Sequence, residues 1–207
     1  PRGNNAPRHG ADFQVGFIDT LREAVNIAMG QAAALLAKVL GVFIQLPVPN
    51  VNLLEVGELH MTLADILGGE DVTAVCQGYI GGGIAVEALL IFHDCEIADM
   101  ARLMNRSALD YSDMEMLLDL SSVIIGACLS GLARQLDVVF SQSHPHILGE
   151  TGGLEELIAV GQQRWKKTLT VEISYSLEGH SIHFDLLLLF TEDSVKLLQD
   201  KLDYLMR

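Results

Sequence analysis

The sequence of 207 residues is poor in basic residues, in aromatic residues and in cysteine. Its 13 lysines and arginines are outnumbered by 27 aspartates and glutamates, which gives a net charge of −14 at pH 7. A chain this negative repels the phosphates of nucleic acids and anionic lipids. We therefore expect no nucleic acid and no membrane surface as a ligand, and a protein partner with a basic face fits better.

Three cysteines are present, and their spacing matches no zinc motif. Cys76, Cys95 and Cys128 are widely separated in apolar segments, which predicts buried, reduced thiols in a cytoplasmic protein. Polar residues and two glycines interrupt the most apolar stretch, residues 27–46. This stretch is expected to be a buried helix, since a membrane span needs ~20 apolar residues.

Aromatic residues make up only 6% of a chain that is 50% apolar, so the core is expected to be aliphatic. This composition excludes disorder for most of the chain, and the length fits one domain. Residues 1–12 differ, because they are rich in turn formers and carry no initiator Met. We expect them to be a disordered linker or tag remnant before a domain over residues 13–207, as in a fragment of a longer protein.

The chain contains two copies of one pattern of elements. Each copy begins with a long helix, in which apolar residues recur at spacings of three and four. A hairpin of two β-prone runs follows, and a short helix closes the copy. The predictions are long helices over 17–40 and 112–136, an edge strand over 42–46, hairpins over 72–80 with 84–92 and over 169–177 with 182–190, and short helices over 96–105 and 194–206.

The offset between the two copies is nearly constant, since Gly179 of the second hairpin follows Gly83 of the first by 96 positions. Repeats over residues 17–106 and 112–206 therefore predict one pseudo-two-fold α+β domain. We expect a mainly antiparallel sheet made from the two hairpins, with the two long helices packed on it.

A polar stripe runs along the first predicted helix. Asp19, Glu23, Asn26 and Gly30 are separated by four, three and four positions, so they share one face. Glu23 and Asn26 present a carboxylate and a carboxamide side by side, and Gly30 leaves room for an approaching surface. Asn is a poor helix former, which favours a role beyond folding. The alternative interpretation is a solvated helix face.

The pattern extends beyond the stripe to a proline: Pro49 follows Asn26 after twenty-two intervening residues. The extended pattern resembles the signature of the CheC, CheX and FliY family of bacterial chemotaxis phosphatases and is most similar to CheC-like proteins. The amino-acid sequence around Glu23 and Gly30 is also similar to that of the family's helix. The resemblance implies a duplicated helix-and-hairpin domain from residue 17 to the C-terminus.

The resemblance also implies an activity: dephosphorylation of an aspartyl phosphate on a CheY-like receiver domain. Asn26 is expected to orient the attacking water, since a carboxamide both accepts and donates hydrogen bonds. Glu23 is expected to pair with a lysine of the receiver. Asp19 is expected to assist docking or to stabilise the helix's first turns, and Gly30 to belong to the binding surface. No cofactor is expected on this chain, and Mg²⁺ would belong to the receiver.

The second copy keeps the spacing of the signature and changes its residues. Counting back from Pro145 leads to Ser122, Asp119 and Glu115 at the positions of the Asn, the Glu and the acidic residue. CheC-like members typically carry two intact Glu-x-x-Asn pairs. The resemblance therefore implies one working site and a degenerate second site, either structural or impaired.

A second function stays open, namely a non-catalytic module that binds a receiver domain or a CheD-like partner through the same helix face. The oligomeric state is open between monomer and dimer, and the internal duplication favours a monomer. Too little chain follows Leu205 for the additional flagellar-switch domain of FliY, so that subfamily is not expected.

Two pairs of histidines are candidate metal ligands. The pairs His144 with His146 and His180 with His183 lack a carboxylate at a recognised ligand spacing. Strand alternation would also place His180 and His183 on opposite faces. We therefore expect no metal site.

Overall fold

The computed structural model describes residues 9–67, 72–104, 112–148 and 167–205. The helices are α1 His9–Leu40, α2 Val56–Leu67, α3 Asp94–Leu103, α4 Asp113–Leu136 and α5 Glu192–Leu205. The strands are β1 Ile44–Gln45, β2 Asn50–Glu55, β3 Val72–Gly81, β4 Ile84–His93, β5 Ser141–Gln142, β6 His146–Leu148, β7 Lys167–Leu177 and β8 His183–Phe190.

These strands form one antiparallel sheet whose centre is the pairing of β4 with β8. The order is β1-β7-β8-β4-β3-β5, with β2 also pairing with β7 and β6 with β3. Leu90 pairs with Leu186, 96 positions later, so the pseudo-two-fold axis passes between these two residues. The predicted α+β class, the duplication and the sheet of two hairpins are confirmed.

Each copy completes the other copy's half of the sheet. The edge strands β1 and β2 of the first copy pair with β7 of the second, and β5 and β6 of the second copy pair with β3 of the first. Pro47 and Pro49 lie between β1 and β2. Proline has no backbone N–H to donate, and at this position it does not interrupt the hydrogen bonds between the central strands.

The central strands β4 and β8 are apolar over most of their length because both of their faces are covered. On one face Leu90 and Leu186 belong to the main core with α1 and α4. On the other face Leu89 and Leu187 pack in a smaller cluster with Leu63 of α2. Burial on both faces explains why these strands read as continuous apolar runs.

Parts of the first copy differ from the prediction. The helix α1 begins at His9, so residues 9–12 are helical and only 1–8 of the predicted linker lie outside the described residues. The edge strand over 42–46 is reduced to β1. Both β2 and α2 were missed, although Glu58 marks the start of α2 by accepting the Glu55 backbone N–H at 2.9 Å.

The ends of the second copy lie close to their predicted positions. The helix α5 begins at Glu192, two residues before the predicted start, and the predicted last residue, Met206, lies outside the described residues. The strand β8 begins at His183, which leaves Ile182 in the turn.

Both long helices end in a left-handed residue. Gly41 has φ 70° after α1, and Asp137 has φ 51° after α4. Glycine adopts this conformation without a Cβ penalty, whereas aspartate is one of the few other residues that tolerate it. The predicted end of the first helix near Gly41 is confirmed.

Two helical stretches, Gly16–Leu40 and Asp113–Leu136, are long and apolar enough to cross a membrane by length and composition alone. In this fold they are the helices that contact each other and cover the sheet. The expected buried helix over 27–46 is correct up to Leu40, after which the chain turns into β1.

Candidate functional site

The polar stripe of α1 lies at the surface of the molecule. Glu23 and Asn26 are exposed, while Val25 and Ala28 of the same helix are completely buried. The apolar face fixes the helix in the core, so the carboxylate and the carboxamide project from a rigid support. At a separation of three positions their Cβ atoms are expected to lie about 5–6 Å apart.

The polar residues of the stripe differ in whether they already form a hydrogen bond or an ion pair within the chain. Asp19 Oδ1 lies 2.7 Å from Arg22 Nη1 in an ion pair within the helix. In the part of the chain that the structure describes, Glu23 and Asn26 make no hydrogen bond or ion pair. Their polar atoms are therefore available to a partner.

The surface beside Asn26 is open and partly apolar. A Cβ built on Gly30 would meet no atom within 4 Å, as expected for a position that admits another surface. Ile27 is 40% exposed and adjoins Asn26, and Leu35 and Val39 are exposed farther along the helix. Helical periodicity in a sequence predicts a buried face, and it does not show that apolar residues such as Leu35 and Val39 at the edge of that face are exposed.

The second stripe is also exposed, but its residues serve their own helix. The backbone N–H of Glu115 donates to Ser112 Oγ, and the Ser112 N–H donates to Glu115 Oε2, both at 3.2 Å, which is a capping box. Ser122 Oγ donates to the Leu118 carbonyl at 2.9 Å. Two of the three residues at the signature positions of α4 thus have structural tasks.

Replacing Ser112 by alanine is expected to lower the free energy of unfolding by about 1 kcal/mol, because it removes the N-cap of α4. Urea unfolding followed by circular dichroism measures this loss. Ser130→Ala is the matched control, since Ser130 is exposed in the interior of the same helix and alanine is a better helix former there. Equal stability of the two variants would show that the capping box contributes nothing.

The two long helices touch where Gly131 of α4 faces Ala28 of α1. A Cβ on Gly131 would lie 2.9 Å from Ala28 Cα and 3.0 Å from Gln31 Oε1. Three positions farther along both helices, Arg134 Nη2 donates a hydrogen bond to Gln31 Oε1. This contact joins a guanidinium of the second copy to the flank of α1 that faces α4, about 140° around the helix from Asn26.

Two of the three thiols are buried and one is not. Burial raises the pKa of Cys128 to about 12. Burial, together with the nearby Glu87 carboxylate, raises the pKa of Cys76 well above its usual value. Both thiols therefore stay protonated and are poor nucleophiles. The prediction of a buried thiol is wrong for Cys95, which lies exposed in the first turn of α3.

Two of the histidines lie together, at the ends of β4 and β8. His183 Nδ1 lies 2.8 Å from Glu96 Oε1, and the rings of His183 and His93 are tilted by 43° with their centroids 4.4 Å apart. His180 lies in the turn before β8, so the argument from strand alternation does not apply to it. Across the described ranges, no group of three or more His, Cys, Asp and Glu residues is placed to hold a metal ion.

Comparison with known proteins places the fold. No protein-family model and no curated protein matches the sequence. The crystal structure of Thermotoga maritima FliY matches with a TM-score of 0.65 at 18% identity, covering 91% of this chain and 96% of that one. The chain has the fold of the CheC, CheX and FliY proteins.

The same fold includes the FliM middle domain. The structure from Vibrio alginolyticus matches with a TM-score of 0.59 at 12% identity, covering 88% of this chain and 99% of that one. The chemotaxis protein CheX from Desulfovibrio desulfuricans matches with a TM-score of 0.52 at 13% identity, covering 81% and 99%. At such low identity these likenesses show the fold, and the residues of the site have to carry the argument for function.

Proposed function

We propose that this chain is a cytoplasmic chemotaxis phosphatase that hydrolyses the aspartyl phosphate of a CheY-like receiver domain. The observation that carries the proposal is the placement of Glu23 and Asn26. They lie on one exposed face of a helix anchored in the core, and neither is engaged by the described residues around it. The likeness of the fold to CheX and FliY supports it.

The chemistry needs a well-placed water more than a strong nucleophile, because phosphoryl transfer depends mainly on positioning and charge neutralisation. The Asn26 carboxamide holds a water in line with the bond between phosphorus and the aspartate oxygen. The water oxygen attacks phosphorus, that bond breaks, and the aspartate leaves as a carboxylate. The proton of the water passes to solvent. Mg²⁺ on the receiver would neutralise the phosphoryl oxygens.

Glu23 has the complementary task of placing the receiver. Its carboxylate projects one turn before Asn26, and no arginine or lysine in the described chain pairs with it. A lysine of the receiver is its proposed partner. An ion pair at this point fixes the register of the two proteins, so that the carboxamide reaches the phosphoryl group.

The test is the decay of phosphorylated receiver in excess Mg²⁺, with and without this chain. Wild type is expected to accelerate the decay. Glu23→Gln is expected to raise the half-saturating receiver concentration about 10-fold, because the loss of this interfacial ion pair is expected to weaken binding by about 1.4 kcal/mol. Asp99→Asn is the control and is expected to leave this concentration unchanged, since Asp99 lies on α3 outside the stripe and pairs with Arg102. No acceleration by wild type contradicts the proposal.

The engagement of Glu115 and Ser122 by their own helix favours one alternative. With one intact stripe, the chain would serve as a binding module for a receiver or a CheD-like partner, without turnover. The same decay assay separates the two functions. Receiver binding at unchanged decay indicates the module, and accelerated decay indicates the enzyme.

A further inference from the structure

The face of the sheet that lies away from α1 and α4 carries a cavity, close to the turn that joins β3 and β4. Its volume is about 410 Å³, which lies in the range of pockets that hold small organic ligands. Its floor contains Gly78, Glu87 and Leu189, which are neighbours across β3, β4 and β8. The sheet separates this cavity from the stripe of α1, so it is a second candidate site.

Among the described residues that line the cavity, Glu87 is the only charged one. Its side chain is half-buried on a central strand, and Glu87 Oε2 accepts a hydrogen bond from Cys76 Sγ at 3.4 Å. No lysine or arginine of the described chain pairs with it. Because a partly buried carboxylate loses hydration that a thiol replaces poorly, a cation that enters the cavity is attracted to Glu87.

The second copy fills the equivalent place with a hydroxyl group. Ser174 follows Gly78 by 96 positions and Asp185 follows Glu87 by 98, and Ser174 pairs with Asp185 across β7 and β8 as Gly78 pairs with Glu87 across β3 and β4. Ser174 Oγ donates to Asp185 Oδ1 at 2.6 Å. Gly78 has no side chain to donate, and a Cβ built there would lie 3.0 Å from Glu87 Oε1. The carboxylate of the first copy is therefore left open to another donor.

We propose that this cavity binds a small organic cation in which a planar amidinium or guanidinium group is attached to an apolar body. Two N–H groups of the cation donate to the Glu87 carboxylate, which a planar fork of donors fits better than a single ammonium does. The apolar body packs against Ile80, Ala85 and Leu189. A net charge of −14 on the chain disfavours an anionic ligand.

The experiment titrates isotopically labelled protein with benzamidine, a flat apolar amidinium, and follows the backbone amide signals of Gly78 and Leu189 by two-dimensional NMR. Wild type is expected to show saturable binding with a Kd of about 1 mM or lower. Benzamide has the same shape without the charge, and it is expected to bind at least about 10-fold more weakly because the charge-assisted hydrogen bonds are lost.

Three variants test which groups bind the amidinium. Glu87→Gln adds no atom and removes the charge, so it is expected to weaken benzamidine binding about 10-fold. Gly78→Ser keeps the charge but supplies the hydroxyl that the second copy has, and it is expected to weaken binding by a similar factor. Asp185→Asn is the control, since it removes one negative charge from the same face of the sheet in the second copy and is expected to leave the affinity unchanged.

Other results overturn the inference. Wild type that shows no saturable shift at Gly78 and Leu189 has no such site. Equal affinity for benzamide and benzamidine, or unchanged benzamidine binding by Glu87→Gln, means that the carboxylate does not select a cation. If Asp185→Asn weakens binding as much as Glu87→Gln, the effect is one of net charge. The decay of phosphorylated receiver does not enter this test, so the inference stands or fails separately from the proposed function.

Discussion

Asn26→Ala is expected to slow the assisted decay of phosphorylated receiver about 100-fold, while receiver affinity changes less than about 3-fold. The carboxamide is exposed and engaged by none of the described residues, so its removal disturbs no internal contact. What is lost is the group that orients the water. The measurements are decay of the phosphorylated receiver at equal protein concentration in excess Mg²⁺, and a separate binding titration.

The second copy provides the control for this variant. Ser122 holds the position equivalent to Asn26 on α4, where its hydroxyl donates to the Leu118 carbonyl. Ser122→Ala is expected to leave the decay within about 2-fold of wild type, because the hydroxyl serves its own helix. If Asn26→Ala retained wild-type turnover, the carboxamide would have no part in the chemistry. If Ser122→Ala were the slower variant, the assignment of the working site to α1 would be wrong.

Gly131→Ala is expected to lower the free energy of unfolding by about 1–3 kcal/mol, although alanine is the better helix former. The added Cβ would lie 2.9 Å from Ala28 Cα, so α1 and α4 would have to move apart. Urea unfolding measures the loss.

Gly126→Ala is the matched substitution on the same helix. A Cβ at Gly126 would meet nothing within 4 Å, so only the gain in helix propensity remains, worth up to about 1 kcal/mol. The two variants should therefore shift stability in opposite directions. A stabilising Gly131→Ala would mean that the helices do not approach as closely as the structure shows.

The parts of the fold that local pattern determines were predicted from the sequence. Helical periodicity located α1 and α4, and two β-prone runs around a turn located each hairpin, because each hairpin is a contact between neighbours in the chain. The helix α2 was missed because it follows β2 directly, with Glu55 and Val56 adjacent and no loop between the two elements. Its start depends on the Glu58 carboxylate, which is a weak signal in a sequence.

Some features around the candidate site could likewise be predicted from the sequence, and others could not. The sharing of one face by Glu23 and Asn26 follows from helix geometry and needs only their spacing. The approach of Arg134 to Gln31 joins residues 103 positions apart, and helix periodicity contains no information about such a pair. The pairing of Asp19 with Arg22 could have been predicted from the sequence, because residues three positions apart on a helix are neighbours.

The exchange of edge strands has a consequence for the order in which the protein can be completed during synthesis. Strands β1 and β2 are made first, yet their partner β7 lies more than a hundred positions later, as shown by the pairing of Asn52 with Thr170. The outer edge of β3 likewise has no pairing strand until β5 and β6 have been synthesised. A nascent chain that ends after the first copy therefore has a formed hairpin with open edges, and it closes them only when the second copy has left the ribosome.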